Sequence, residues 1–261
     1  MPTLDELTAA QVAMMLGALL LGSFVQGATG FAFGLLATPL LIWAGLSLPA
    51  AVAAVLTAVL AQTAAGSWRF RDAIVWRDLP TVMVTRNLGL PLGLIVMGWL
   101  SASGIETMKL GVGVVLLVVV LLVVVLLVVV LRPKPRAKVP GRWAVPAGLS
   151  SGFLSGVTGM GGPPVVIWAM AHDWSTRRSR AFLWTLFLQL MPVQLGLMWW
   201  RFGEEVGHAM LAGLVATPAV VLAAEWGSRW GSRWSPAGLR RVTLALLLGM
   251  ALVSIVGPWL G

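Results

Sequence analysis

Two short stretches hold the residues best suited to chemistry in this chain. Gly27-Ala28-Thr29-Gly30 returns in the second half as Gly156-Val157-Thr158-Gly159, and each copy interrupts a long apolar run. Gln26 precedes the first break and Ser155 the second, and Gly161, Gly162, Pro163 and Pro164 follow the second. A break of this kind frees backbone N–H groups at the start of the next helix, where aligned peptide dipoles leave roughly half a positive charge. Such ends bind anions. Glycine lets the backbone approach a ligand without a Cβ, and the Thr29 and Thr158 hydroxyls can donate hydrogen bonds. Proline at a helix start removes only a donor that would be orphaned anyway. Close helix packing through small residues explains a single motif of this type. A duplicated motif favours a site instead, because broken backbone is tolerated at membrane depth only where protein covers it or a water-filled cavity receives it.

Arg86 is the second candidate. It lies about eight residues into its apolar segment, on the order of 12 Å at 1.5 Å per residue, and is followed by Asn87, Gly89, Pro91 and Gly93. A charged group inside a membrane is costly and marks function by default, and arginine's planar fork suits an oxyanion. Snorkelling back to the interface is the competing explanation. No carboxylate falls at mid-membrane: Asp5, Glu6, Glu106, Glu204 and Glu205 belong on one side, and Asp72, Asp78, Asp173 and Glu225 on the other. His172 and His208 lie near segment ends. Proton coupling would therefore have to use those histidines or protonation of the substrate itself. Gln62, Gln189, Gln194, Thr57, Thr85 and Thr185 are polar groups able to line a path, or equally to bond helix to helix. There is no cysteine, no His-Glu-x-x-His and no nucleotide-binding motif, so neither metal ligation nor a cofactor is expected.

The elements that must position these residues are membrane helices. Of 261 residues, 59% are hydrophobic and 10% charged, against about 25% charged in a soluble domain. Apolar segments long enough to cross a hydrocarbon core of about 30 Å recur along the chain. Reading runs between charged or Pro/Gly-rich punctuation gives segments at 8–26, 30–46, 48–66, 78–100, 105–131, 142–156, 160–172, 180–200, 207–225 and 239–259. The first pair and the sixth and seventh each meet at a Gly-x-Thr-Gly break, so they are either full crossings or half-helices that return. Asp5 and Glu6, without Lys or Arg, are the wrong charge for a signal peptide, and the first segment is expected to be retained.

Lysine and arginine set the orientation. Arg69, Arg71 and Arg77, then Arg132 to Arg142, then Arg177, Arg178 and Arg180, then Arg229, Arg233, Arg240 and Arg241 fall in four loops on one side. The charge of +9 is therefore a topology signal, not a nucleic-acid surface, and it places both termini outside an inner membrane. Most of the 14 tryptophans sit near segment ends as interfacial anchors. Trp168 and Trp184 lie further in and are the better candidates for a ligand role.

The halves match at more than the glycine motif. At one nearly constant offset Gln62 corresponds to Gln189, Pro91 to Pro218, Trp99 to Trp226 and Thr57 to Thr185. Five segments in each half is an odd number, so the second half enters from the opposite side and the repeats are inverted. In transporters of this build the site lies near the midplane between discontinuous helices. The expected division is residues 1–131, a basic linker 132–141, and residues 142–261. Val114 to Leu131 contains only Val and Leu and can do no chemistry; a lipid-facing helix is expected there.

The stretch Gly22-Ser23-Phe24-Val25-Gln26-Gly27-Ala28-Thr29-Gly30-Phe31-Ala32-Phe33-Gly34 with Pro39, and Gly152-Phe153-Leu154-Ser155-Gly156-Val157-Thr158-Gly159-Met160-Gly161-Gly162-Pro163-Pro164, resemble the two signature stretches of the sulfite exporter TauE/SafE family. The resemblance implies an all-α secondary transporter of small sulfur-containing anions such as sulfite, sulfonates or sulfoacetate, with export the expected direction. The expected binding residues are Gln26, Gly27, Thr29, Gly30, Arg86, Asn87, Ser155, Gly156, Thr158, Gly159, Gly161 and Gly162. Three other readings stay open: an anion channel using the same breaks as a filter, an intramembrane enzyme, for which no nucleophile with its base is in evidence, and a membrane assembly partner that transports nothing.

Overall fold

The computed structural model describes residues 8–29, 33–104, 106–108, 110–115, 117–118, 121 and 140–231. Its helices are α1 (Ala9–Thr29), α2 (Phe33–Trp43), α3 (Leu48–Arg69), α4 (Pro80–Ala102), α5 (Ala144–Thr158), α6 (Gly162–Met170), α7 (Thr176–Phe202) and α8 (Glu204–Gly231). Helical residues also occur between 106 and 121. Nine of the expected segments thus meet helix; the tenth, 239–259, and most of the Val/Leu run lie outside the described residues. Among the described residues five helices are long and apolar enough to cross a membrane, and the protein is a multi-pass membrane protein.

Local chemistry places the ends. Ser47 caps α3 by accepting from the Ala50 amide, and Ser175 caps α7 by accepting from Arg178, each satisfying a donor that the first turn leaves without a partner. Proline begins α4 at Pro80 and stands in the first turn of α3 at Pro49. α5 stops at Gly159, whose φ of 74° is left-handed, a conformation that a Cβ makes costly.

The short helices return on their predecessors. α2 has 11 residues and α6 has 9, or about 16 and 14 Å at 1.5 Å per residue, roughly half a hydrocarbon core. Gln11, near the start of α1, donates to the carbonyl of Ala44 just beyond α2, so α2 runs back along α1. Ser151 of α5 donates to the Gly161 carbonyl at the start of α6, and Ala144, Val165, Trp168 and Ala169 share one apolar cluster at the other end of that hairpin.

Glycine decides which helices touch. α5 lies along α4 so closely that a Cβ at Gly152 would stand 2.0 Å from the Arg86 carbonyl oxygen, and one at Gly156 would stand 2.4 Å from that of Leu90. From the other side, a Cβ at Gly93 would meet the Phe153 carbonyl at 2.2 Å. α1 and α8 make the corresponding contact: a Cβ at Gly27 would be 2.0 Å from the Ala224 carbonyl, and one at Gly227 would be 2.0 Å from that of Phe24. Without a hydrophobic driving force inside lipid, close backbone approach is how such helices gain packing energy. The outward side of α4 presents Val84, Leu88, Leu92, Ile95 and Trp99, a spacing that forms one apolar helix face.

Between these two pairs lie α3 and α7. They run antiparallel, with the Ser67 and Thr185 hydroxyls 3.3 Å apart and the Trp184 ring lying against Gly66. On the arginine-rich face, Arg177 bridges to Asp72 at 2.7 Å and Arg178 pairs with Asp78. Loops 69–77 and 177–180, assigned to one side by charge counting, are therefore in contact. At the opposite end, the Ser47 hydroxyl donates to Glu205.

Candidate functional site

Both breaks line one cavity. It measures about 90 Å³, and liquid water takes about 30 Å³ per molecule, so there is room for one small anion or a few waters. The first break contributes Gln26, Phe33 and Gly34; the second contributes Ser155, Gly159, Met160, Gly161, Gly162 and Pro163. The two breaks come within van der Waals reach, since a Cβ at Gly34 would lie 3.3 Å from the Gly159 carbonyl oxygen. α3 adds Val55, Leu56, Val59 and Thr63, α4 adds Arg86, and α7 adds Trp184, Phe187, Leu190, Met191 and Gln194.

Arg86 dominates the electrostatics. It is 1% exposed, the one charged side chain buried among the described residues. One guanidinium nitrogen donates to the Leu186 carbonyl at 2.7 Å, the guanidinium carbon stands 5.4 Å from the centre of the Phe187 ring, and Nε has no hydrogen-bond partner. Among the described residues no carboxylate pairs with it. Burial inside the protein argues against snorkelling and leaves a cation held by a carbonyl and an aromatic ring but, among the described residues, without a counter-charge to offset its desolvation. Phe187 also approaches the start of α6, with its ring tip 3.7 Å from the place a Gly162 Cβ would take. Arginine, aromatic ring and helix N-terminus therefore converge on one end of the cavity.

The second break is built tightly around that end. A Cβ on Gly161 would lie 2.2 Å from both the Ser151 carbonyl and the Ser155 hydroxyl, so only glycine fits. The Ser155 carbonyl accepts from the Gly159 amide at 2.8 Å and from Gln194 Nε2 at 2.7 Å. The amides of Met160 and Gly161 donate to no protein acceptor among the described residues, and no side chain caps α6. At the first break Gln26 already fills part of this role: its Oε1 accepts from the Phe33 amide at 3.3 Å, closing the first turn of α2.

Of the residues singled out in the sequence, Gln26, Arg86, Ser155, Gly159, Gly161 and Gly162 meet at the cavity. Gly27 and Gly156 are outside its lining and serve the α1–α8 and α4–α5 contacts. The Thr158 hydroxyl is buried and bonds back to the Leu154 carbonyl at 3.3 Å. Asn87 spans the Met83 carbonyl and Gln189 Oε1. Thr29 ends α1; its side chain, together with Gly30, is outside the described residues. Of the two inner tryptophans, Trp184 lines the cavity, while Trp168 packs with His172, Trp174 and Phe182 elsewhere. Phe187 and Thr63 received no weight in the sequence. The signal for Phe187 was present as a stripe at helical spacing, Trp184, Phe187, Met191 and Gln194.

Two half-length helices, two glycine breaks and a buried arginine without a carboxylate partner thus surround one cavity in a multi-pass membrane protein. The model of the sulfite exporter TauE/SafE family matches residues 14–254, and the chain belongs to that family. It is 28% identical over 231 residues, 88% of each chain, to a protein of Cupriavidus necator described as a probable sulfite/organosulfonate exporter. No solved structure matches.

Proposed function

We propose that the cavity binds a sulfite or organosulfonate anion and that the protein exports it across the inner membrane as a secondary transporter. The observation that carries this reading is Arg86, a buried guanidinium without a carboxylate, facing a cavity that both glycine breaks line. An anionic head placed there would supply the missing counter-charge, with Arg86 as a planar donor. The unengaged amides of Met160 and Gly161 and the Ser155 hydroxyl would take its remaining oxygens. The Cupriavidus necator relative, named for sulfite and organosulfonates, gives the head its chemical class.

Movement would follow from two inverted halves, residues 1–131 and 142–261 joined by the basic linker 132–141. The pairing of α1 with α8 and of α4 with α5 supports this, since each half lends its broken first helix to the fourth helix of the other. The antiparallel crossing of α3 and α7 supports it as well. Rocking of one half against the other would open the cavity alternately, parting Arg177 from Asp72 and Arg178 from Asp78 on the basic face. That face would be cytoplasmic, with both termini outside. The test is a panel of sulfite, sulfonates, sulfoacetate and sulfate, read as thermal stabilisation of the purified protein and as flux in proteoliposomes. Saturable counterflow is expected; non-saturating flux would mark a channel, and the absence of any ligand-dependent stabilisation would overturn the site.

A further inference from the structure

The two glutamines that line the cavity have opposite heads to spare. Gln26 Oε1 accepts from the Phe33 amide, which leaves its nitrogen as a donor. Gln194 is turned the other way. Its Nε2 donates to the Ser155 carbonyl at 2.7 Å, and because a carbonyl oxygen only accepts, the atom of that amide left over is Oε1. Gln194 is 1% exposed, and no donor among the described residues reaches its Oε1.

Gln194 is anchored beside the groups assigned to the anion. The residue it holds, Ser155, packs its hydroxyl against Gly161, where a Cβ would stand 2.2 Å from it, and Gly161 carries one of the unengaged amides. An acceptor in that position is costly beside a bare anion, whose oxygens only accept, and is satisfied by an anion that carries a hydrogen. Charge points the same way. Among the described residues Arg86 is the single charge in the lining, since neither break, nor α3, nor α7 brings an Asp, Glu, His or Lys to it. His172 is engaged elsewhere, on the Trp168 carbonyl and the Trp174 ring, and Arg178 faces Asp78. One cation balances one negative charge, and a second negative charge would be buried without a partner.

We propose that the cavity takes its oxyanion singly charged, that sulfite therefore enters as hydrogensulfite, and that Gln194 is the specificity-determining residue that accepts the hydrogen of that ion. This rests on the reading of Arg86 and the second break as the site of the anionic head. Arg86 balances the one charge, the Met160 and Gly161 amides hold oxygens, and Gln194 Oε1 takes the corner that bears the hydrogen. No carboxylate or histidine of the lining is needed to carry a proton, because the cargo brings its own. Sulfonates, also singly charged, are accepted with the Gln194 oxygen unused.

The experiment uses the full chain in proteoliposomes, with sulfite, methanesulfonate and sulfate competing for efflux at a series of pH values around neutrality, equal on both sides, where sulfite passes from singly to doubly charged. Sulfite affinity falls ~10-fold per pH unit once the dianion predominates, in step with the hydrogensulfite that remains. Methanesulfonate, singly charged throughout, stays level and so controls for titration of the protein itself. Sulfate, doubly charged throughout, competes at least ~100-fold more weakly than methanesulfonate. Gln194→Met keeps the volume and removes the acceptor, lowering hydrogensulfite affinity relative to methanesulfonate by ~10-fold or more. Damage to the break alone would weaken both anions alike, so that ratio reads the acceptor and not the packing. Sulfite affinity that holds level or rises with pH, or sulfate that competes as well as methanesulfonate, overturns the single-charge rule while leaving the head site standing. An unchanged ratio in Gln194→Met overturns the role of Gln194, and the wild-type pH series decides the charge rule even if that variant folds poorly. If neither sulfite nor methanesulfonate competes, the head site falls as well.

Discussion

Arg86 and the pair Arg177 and Arg178 share a side chain and little else. Arg177 is half-exposed and makes a two-pronged bridge to Asp72, and Arg178 has Asp78. Arg86 is buried and has one backbone carbonyl and an aromatic ring. On the basic face the chain supplies both charges, so those arginines have counter-charges in their own fold, although Arg178 Nε, like Arg86 Nε, has no hydrogen-bond partner. In the cavity it supplies only the cation. The contrast points to where cargo would bind on the proposed reading, since an intramembrane charge without a protein counter-charge marks a candidate functional site.

The strongest way to break this comparison is Arg86→Gln. It should lower anion affinity ~100-fold or more, the scale of losing a charge-assisted, two-pronged contact, as measured by competition for efflux. Wild-type affinity in that variant would place Arg86 among the structural arginines. Next in size is Gly161→Ala. Its Cβ has no space beside the Ser151 carbonyl and the Ser155 hydroxyl, and overpacking of this kind costs typically 1–3 kcal/mol. A lowered melting temperature together with weakened anion binding is expected, because the break itself shifts. Gly156→Ala should lower the melting temperature by a similar mechanism through the α4–α5 contact, yet disturb anion affinity less than Gly161→Ala, since Gly156 is outside the cavity lining.

Smallest is Asp72→Asn. The Arg177 hydrogen bond holds the Asp72 carboxyl below its ordinary value of 3.8. Its folded pKa is depressed, so any stabilisation is present above about 3.8 and is lost as pH falls through the lower folded value. The pair is exposed and screened, so at neutral pH Asp72→Asn should leave both melting temperature and anion affinity unchanged within error. A large effect on flux alone would instead mark the Asp72–Arg177 bridge as a contact that transport must break. Raising salt should erase what remains of the bridge and leave the buried Arg86 site much less affected.

Much of the fold was legible because membranes impose simple rules. Apolar run lengths found the helices, and arginine counts grouped loops 69–77 and 177–180 on one side, where Asp72 and Asp78 indeed meet Arg177 and Arg178. The glycine breaks were legible as breaks. Their glycines were harder to sort, because Gly156 and Gly161 look alike in a sequence: one is pressed against the Leu90 carbonyl on a neighbouring helix and the other lines the cavity. The threonine in the second motif was hard to place for a similar reason, since a buried hydroxyl can bond to its own helix, as Thr158 does with Leu154.

By itself, then, the sequence determined a helical membrane protein with two marked breaks and one misplaced arginine, since hydropathy, charge bias and glycine chemistry are local properties that lipid reads directly. Only the tertiary structure decided that both breaks and Arg86 share a cavity, and that Trp184 and Phe187 form its aromatic wall. Those facts depend on which helices cross and at what height. That choice is made by backbone-to-backbone contacts between residues distant in the chain, such as Gly152 on Arg86 and Gly66 under Trp184.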